Sequence, residues 1–294
     1  MKLFRGTGVA LVTPFKDDFS VDYSSLERLI DFNIENGIDY LVVMGTTAEA
    51  VTLSAGEKQQ VIDFIVEKNK KRIPLVIGIA GNNTAEVVRD IQYTDLTPFD
   101  GILSVSPYYN KPTQEGIYQH FKAIAETTDT PIILYNVPSR TGGQGILPST
   151  AIRLAREFKH IVAIKEATGD MGIAMKLIKN RPEGFLILSG DDEYALPLVY
   201  LGGDGVISVI GEGLPKEFSK MINFALEGKV KEANTLHYQC LEMIHLIFEE
   251  GNPAGIKELL KQRGILKSNQ VRLPLVSATK NLYNKIEKEL KLFN

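Results

Sequence analysis

The chain has 294 residues, 44% hydrophobic and 23% charged, which suits one large α/β domain or a domain with an appendage around a sizeable core. Its 33 Lys and Arg against 36 Asp and Glu give a formal charge of −3, so no electrostatic argument favours nucleic acid or an anionic membrane as partner. The single cysteine, Cys240, cannot close an internal disulfide and fits a reducing compartment; its neighbours Leu241 and Met243 point to a packed thiol.

Near the start, Val9-Ala10-Leu11-Val12 is too short for a signal-peptide core and ends at Thr13-Pro14. No run reaches the roughly 18 apolar residues of a membrane helix, so a cytoplasmic, soluble protein is expected. Short apolar runs then recur, each followed by helical spacing. Run 8–12 precedes a helical face of Leu26, Leu29, Ile30 and Ile34, which starts near Asp22 and stops at Asn36-Gly37. Run 40–44 leads into Gly45-Thr46-Thr47 and a helix marked by the capping-box pattern Ser54-Ala55-Gly56-Glu57. Run 75–79 is followed by a helix opening at Asn83-Thr84. Run 102–105 is followed by Ser106-Pro107-Tyr108-Tyr109-Asn110-Lys111-Pro112 and a helix through Ile117, Phe121 and Ile124.

Run 132–135 comes fifth, with its helix from Ser149 through Ile152, Leu154 and Phe158. Run 161–164 is sixth and ends at Lys165, before a helix from Met171 to Ile178. Runs 185–188 and 205–209 complete the series, with helices from Tyr194 to Leu201 and from Pro215 to Ala225. Eight strand-plus-helix units in about 220 residues match a (β/α)8 TIM barrel; a doubly wound sheet is the rival, because periodicity does not show closure. Beyond about Lys229 the pattern is all-helical, with apolar faces Leu236-Cys240-Met243-Ile244-Ile247, Ile256-Leu259-Leu260 and Leu282-Ile286-Leu290. The expected division is therefore an α/β barrel over 1–228 and a C-terminal helical domain over 229–294.

Polar groups at the ends of the apolar runs are the candidates for chemistry, since α/β proteins place their sites beyond the carboxyl ends of the strands. They are Thr46-Thr47, Tyr108-Tyr109, Tyr135 and Lys165. Singly, each has a plain reading: cap hydroxyls, half-buried aromatics, a barrel-top tyrosine, a lysine reaching for water. Together they compose an imine-forming site. A lysine amine attacks a keto carbonyl only when neutral, and a low-dielectric mouth walled by Ile133, Ile164 and Ile207 favours that form. Forming and collapsing the carbinolamine needs a proton shuttle, which a tyrosine joined through threonine to another hydroxyl supplies. No metal or cofactor is needed, because the protonated imine is itself the electron sink.

Four stretches carry a family likeness: Gly45-Thr46-Thr47, Tyr108-Tyr109-Asn110-Lys111-Pro112, Tyr135-Asn136-Val137-Pro138-Ser139-Arg140-Thr141-Gly142 and Ile164-Lys165-Glu166-Ala167. With Gly202-Gly203-Asp204-Gly205-Val206-Ile207-Ser208-Val209 and Arg272-Leu273-Pro274-Leu275, they closely resemble the dihydrodipicolinate synthase family over essentially the whole chain. The resemblance implies a pyruvate-dependent class I aldolase-type enzyme of the diaminopimelate branch of lysine biosynthesis. By that likeness Lys165 forms the Schiff base with pyruvate, whose enamine attacks the aldehyde of aspartate semialdehyde, and Tyr135 handles the protons. Thr46 links Tyr135 to Tyr109, which in the family reaches in from a neighbouring subunit. Thr47 holds the pyruvate carboxylate, Arg140 takes the semialdehyde carboxylate, and Gly190 and Ile207 line the pocket. The family assembles as homotetramers of tight dimers.

The match has gaps. The family's loop usually reads Gly-Thr-Thr-Gly-Glu-Ser, whereas this chain has Ala48 and Ala50 around Glu49; an alanine at 48 costs about 1 kcal/mol if that position needs positive φ. Of the family's lysine feedback site, Asn82, Glu86 and Tyr108 match, but Ala50 replaces a serine, and Ala55 and Lys58 stand where sensitive members often carry histidines. A cationic Lys58 opposes a cationic effector, so weak lysine inhibition is expected.

Rival readings are weaker. His120, His160, His237 and His245 fall on predicted helices or at their ends, which gives a metal site no strand-end ligands. Asp191-Asp192-Glu193 reads as a turn opening a helix, and Gly202-Gly203-Asp204-Gly205 precedes a strand rather than opening a helix, unlike a phosphate loop. The remaining alternatives are a sibling lyase releasing pyruvate from neuraminate or a 2-keto-3-deoxy sugar acid, which has no evident use for Arg140, and a binding protein that kept the fold without turnover.

Overall fold

The computed structural model describes residues 3–293. Its first half runs β1 (Gly6–Ala10), α1 (Tyr23–Glu35), β2 (Tyr40–Val43), α2 (Ala55–Asn69), β3 (Leu75–Gly78), α3 (Thr84–Tyr93), β4 (Gly101–Val105) and α4 (Gln114–Ala125). Next come β5 (Ile132–Asn136), α5 (Pro138–Thr141), α6 (Pro148–Glu157), β6 (Ile161–Glu166), α7 (Met171–Asn180), β7 (Leu186–Ser189), α8 (Ala195–Tyr200) and β8 (Gly205–Ser208). The chain then carries α9 (Ile210–Gly213), α10 (Pro215–Leu226), α11 (Val230–Glu249), α12 (Ala254–Gln262) and α13 (Lys280–Leu290). The eight strands follow one another around a closed barrel, so the doubly wound alternative is ruled out.

Two compact units make up the chain, one of Pro74–Ile207 with the segment up to Gly6, the other of Thr7–Ile73 with Ser208 onward. In the first, β3 to β8 pair in parallel, and their residues are buried almost without interruption, as expected of strands covered on both faces. One irregularity matters. Ile132 pairs with Ile161, but Ile133 pairs with Ala163, so Val162 is an extra residue in β6. That bulge sets Tyr135 opposite Lys165 and Asn136 opposite Glu166.

In the second unit, Asp22 caps α1 by accepting from Ser25 N, and Ser54 with Glu57 forms the reciprocal capping box of α2. Such caps contribute about 0.5–2 kcal/mol each. The three apolar faces anticipated beyond Lys229 are buried at Cys240, Met243, Ile244 and Ile247, at Ile256, Leu259 and Leu260, and at Leu282, Ile286 and Leu290. β1 lies two residues earlier than the apolar run suggests. Beyond it, Val12 N donates to the Glu212 carboxylate at 3.1 Å rather than extending the strand. The short helices α5 and α9 were not anticipated; α5 is opened by Pro138, whose fixed φ suits a first turn.

Among the described residues no group of three or more His, Cys, Asp or Glu is placed to hold a metal ion, and no helix is long and apolar enough to cross a membrane. His120, 3% exposed within α4, instead packs inside, with Nδ1 2.9 Å from Thr84 Oγ1 on α3. Burial pulls its pKa from 6.5 down to about 4, so the folded protein holds it neutral. The unfolded chain therefore takes up a proton that the folded one refuses. The stabilisation is complete above about pH 6.5, and about 3 kcal/mol is lost as pH falls through 6.5 towards 4. Urea unfolding between pH 4 and 7 should show this acid slope, and His120→Gln should flatten it.

Candidate active site

Lys165 and Tyr135 are opposed on neighbouring strands β6 and β5. Both are buried, at 5% and 7% exposure, and Lys165 Nζ lies 4.4 Å from the centroid of the Tyr135 ring. The amine is thus held out of bulk water and against the phenol, the arrangement an imine-forming lysine requires. Gly190, at the end of β7, donates its N–H to Glu166 O at 2.7 Å. A Cβ at 190 would press on the Lys165 side chain and on Ala167, so only glycine leaves the lysine its room. Ile207 is fully buried on β8.

Arg140 sits exposed on α5, with no side-chain partner among the described residues, which leaves its planar fork free for a carboxylate. Tyr109 is 89% exposed, on left-handed backbone (φ 69°) that a bulky residue seldom adopts. Asn82 donates to Tyr108 O at 3.2 Å, and Asn110 donates back to Asn82 O at 3.2 Å, which brings Asn82 together with the Tyr108-Tyr109 segment. Glu86 lies in the first turn of α3. Lys165, Tyr135, Arg140, Gly190, Ile207, Tyr108, Tyr109, Asn82 and Glu86 all belong to the first unit, and Thr46 and Thr47 to the second.

Two residues of the first unit that the strand-end reading passed over support this group. Asn136 and Glu166 are buried directly after Tyr135 and Lys165, and Asn136 Nδ2 donates to Glu166 Oε2 at 2.7 Å. Both stood inside recognised motifs, so their positions were visible although their task was not. Gln114, which binds the segment after α5, gave no signal in the sequence.

In the second unit, Thr46 to Ala48 form a 3-10 turn, and the hydroxyl of buried Thr47 accepts from Asn252 Nδ2 at 2.9 Å. Left-handed residues flank the turn: Met44 (φ 59°) before it and Glu49 (φ 53°) after it. Ala48 is not among the positive-φ residues, so the departure from the family's glycine carries no backbone strain. Glu49 is held from both oxygens. Its Oε1 lies 2.5 Å from Lys257 Nζ, and its Oε2 accepts from Arg272 N at 2.8 Å. Lys257 also donates to Gln270 O at 2.9 Å and stands over the Phe15 ring at 4.1 Å. Burial pulls the Lys257 ammonium down to about 8 against the opposing pull of Glu49. Arg272 pairs in turn with Glu57, whose carboxyl it lowers to about 2. Lys257 went unnoticed in the sequence because it sits in the apolar face of α12.

A closed parallel barrel with a buried lysine laid on a tyrosine at its strand ends is an arrangement that suits an aldolase-type lyase. The family model described as the dihydrodipicolinate synthetase family matches residues 3–292. The chain is 56% identical over 287 residues to the 4-hydroxy-tetrahydrodipicolinate synthase of Flavobacterium psychrophilum, covering 98% of this chain and 97% of that one. Among solved structures, dihydrodipicolinate synthase from Aquifex aeolicus superimposes with a TM-score of 0.94 at 42% identity, over 99% and 98% of the two chains. The chloride-inhibited enzyme of Acinetobacter baumannii, complexed with pyruvate, gives 0.93 at 41% identity over 98% of both chains. The chain belongs to the dihydrodipicolinate synthetase family.

Breaking a buried ion pair from one side costs about 3–5 kcal/mol, because the remaining charge is stranded. Lys257→Met should therefore lower stability by about that much in denaturant unfolding. The double substitution Glu49→Gln/Lys257→Met should recover part of the loss, since the amide oxygen still accepts from Arg272 N.

Proposed function

We propose that the protein condenses pyruvate with L-aspartate 4-semialdehyde to give 4-hydroxy-tetrahydrodipicolinate, the first step of the diaminopimelate branch of lysine biosynthesis, in the cytoplasm. The observation that carries this reading is the buried Lys165 amine lying against the Tyr135 ring in a chain so close to the named synthases. The Lys165 amine adds to the keto carbon of pyruvate and water leaves, giving the imine. Loss of a methyl proton then yields the enamine, whose carbon attacks the aldehyde. The amino group of the second substrate closes on the imine carbon and returns Lys165 as free amine. Each stage moves a proton beside the imine, the task assigned to the Tyr135 hydroxyl. The imine is its own electron sink, so the chemistry calls on no metal or cofactor. Arg140 receives the semialdehyde carboxylate. By likeness to the family, Thr47 is assigned to the pyruvate carboxylate, and Thr46 with Tyr109 to the proton relay.

The same likeness supports a homotetramer of tight dimers. An exposed tyrosine on strained backbone at 109, and exposed Val51, Leu273 and Val276 in the second unit, are surfaces that a second copy of the chain covers.

Borohydride reduction with pyruvate should leave one secondary-amine adduct on the protein, heavier by pyruvic acid less one water plus two hydrogens, and Lys165→Ala should abolish it; trapping that persists at another residue refutes the assignment. Tyr135→Phe should keep measurable trapping but lower kcat by about a hundredfold or more. A coupled assay should show turnover with aspartate semialdehyde and none in cleavage of neuraminate or 2-keto-3-deoxy sugar acids. Because Ala50, Ala55 and Lys58 depart from the lysine-sensitive pattern, initial rates should fall little with added L-lysine; strong inhibition at micromolar lysine would contradict that.

A further inference from the structure

We propose that Glu166 is a positioning residue for the second substrate, acting through Asn136 to fix the segment that follows the Arg140-bearing helix α5. The proposal rests on the assignment of Arg140 to the semialdehyde carboxylate. Lys165 and Glu166 are neighbours on β6, and side chains of successive strand residues face opposite ways. The amine lies on the Tyr135 ring, while the carboxylate is buried among other partners. Glu166 Oε2 accepts from Asn136 Nδ2 at 2.7 Å, and its Oε1 accepts from Thr168 N at 2.8 Å. Asn136 is equally committed. Its Oδ1 accepts from Ile146 N at 2.8 Å, and its backbone carbonyl accepts from Ala167 N at 2.9 Å.

The segment 142–147 is therefore gripped just beyond α5. Gln114 adds a second hold, donating to Gly145 O at 2.8 Å and accepting from Leu147 N at 3.0 Å and Thr150 Oγ1 at 2.7 Å. Gly145 has φ +68°, and a Cβ there would run into Asn136 Oδ1 and Pro138, so the backbone is drawn as close to the clamp as a glycine permits. No hydrogen bond or ion pair joins these groups to Lys165 Nζ.

Hydrogen-bond polarity makes the clamp testable. A backbone N–H stands at each end of the chain of groups: Ile146 N at one, Thr168 N at the other. The Asn136 amide accepts at one side and donates at the other, so the group at 166 must accept from both sides, which a carboxylate does and an amide does not. With Gln at 166, one donor always faces another, and flipping Asn136 only moves the conflict to Ile146 N. Asp at 136 with Gln at 166 restores a complete chain: the aspartate accepts from Ile146 N and from the new amide, whose oxygen accepts from Thr168 N.

The test compares KM for each substrate, and borohydride-trapped pyruvate, in the full-length protein and in the variants Glu166→Gln, Asn136→Asp/Glu166→Gln, Gln114→Met and Arg140→Ala. Arg140→Ala should raise the semialdehyde KM by about tenfold or more and leave the pyruvate KM within about twofold. Glu166→Gln should raise the semialdehyde KM by about tenfold, with the pyruvate KM and trapping within about twofold, and the double variant should recover most of that loss. If Arg140→Ala shows the selective effect and Glu166→Gln does not, or the double variant is no better than Glu166→Gln, the clamp is overturned and the Arg140 reading survives. If Arg140→Ala affects both substrates equally, the reading of Arg140 fails and this proposal falls with it. Should Glu166→Gln not fold, the double variant and Gln114→Met decide: the first must keep near-normal constants and the second must lose semialdehyde affinity selectively, and failure of either overturns the proposal.

Discussion

One irregularity in a strand sets how Lys165 and Tyr135 face each other. Because Val162 is accommodated as a bulge, β6 meets β5 with Lys165 opposite Tyr135. Were Val162 paired regularly opposite Ile133, the register that begins at Ile132 and Ile161 would set Ile164 there and turn the amine to the other face. Neighbouring strands in a sheet run about 4.8 Å apart, so opposed side chains on one face touch without any loop to bring them together. The closeness of amine to ring, 4.4 Å, therefore follows from backbone register.

Each unit also contains a buried carboxylate placed beside a candidate site stretch, with both oxygens taken by donors. Glu166 follows Lys165 and binds Asn136 and Thr168; Glu49 follows Thr46-Thr47-Ala48 and binds Lys257 and Arg272. A buried anion is tolerated only where its acceptors are filled, so each carboxylate dictates where its donors stand. In the second unit that demand also offsets strain. Met44 and Glu49 hold left-handed backbone, at roughly 1–3 kcal/mol each, around the turn that displays the threonines.

Much of this was legible in the sequence because the signals were periodic or abrupt. Eight apolar runs spaced by helical faces gave the barrel, and a lysine or tyrosine ending such a run stood out against its neighbours. The bulge at Val162 was not legible, since an unbroken apolar run reads the same with or without it. Lys257 was hidden by the apolar residues around it on α12, and the early end of β1 depends on Glu212, 200 residues away from Val12. Helices α5 and α9, four residues each, are too short to show a period. The concern over Ala48 dissolved because the left-handed position falls on Glu49.

The back-to-back placement of Lys165 and Glu166 has a consequence for strand pairing. A one-residue slip of β6 past β5 would exchange the two, turning an anion towards Tyr135 and stranding a cation behind it. The strand thus behaves like a reading frame, in which pairing register decides what each residue faces.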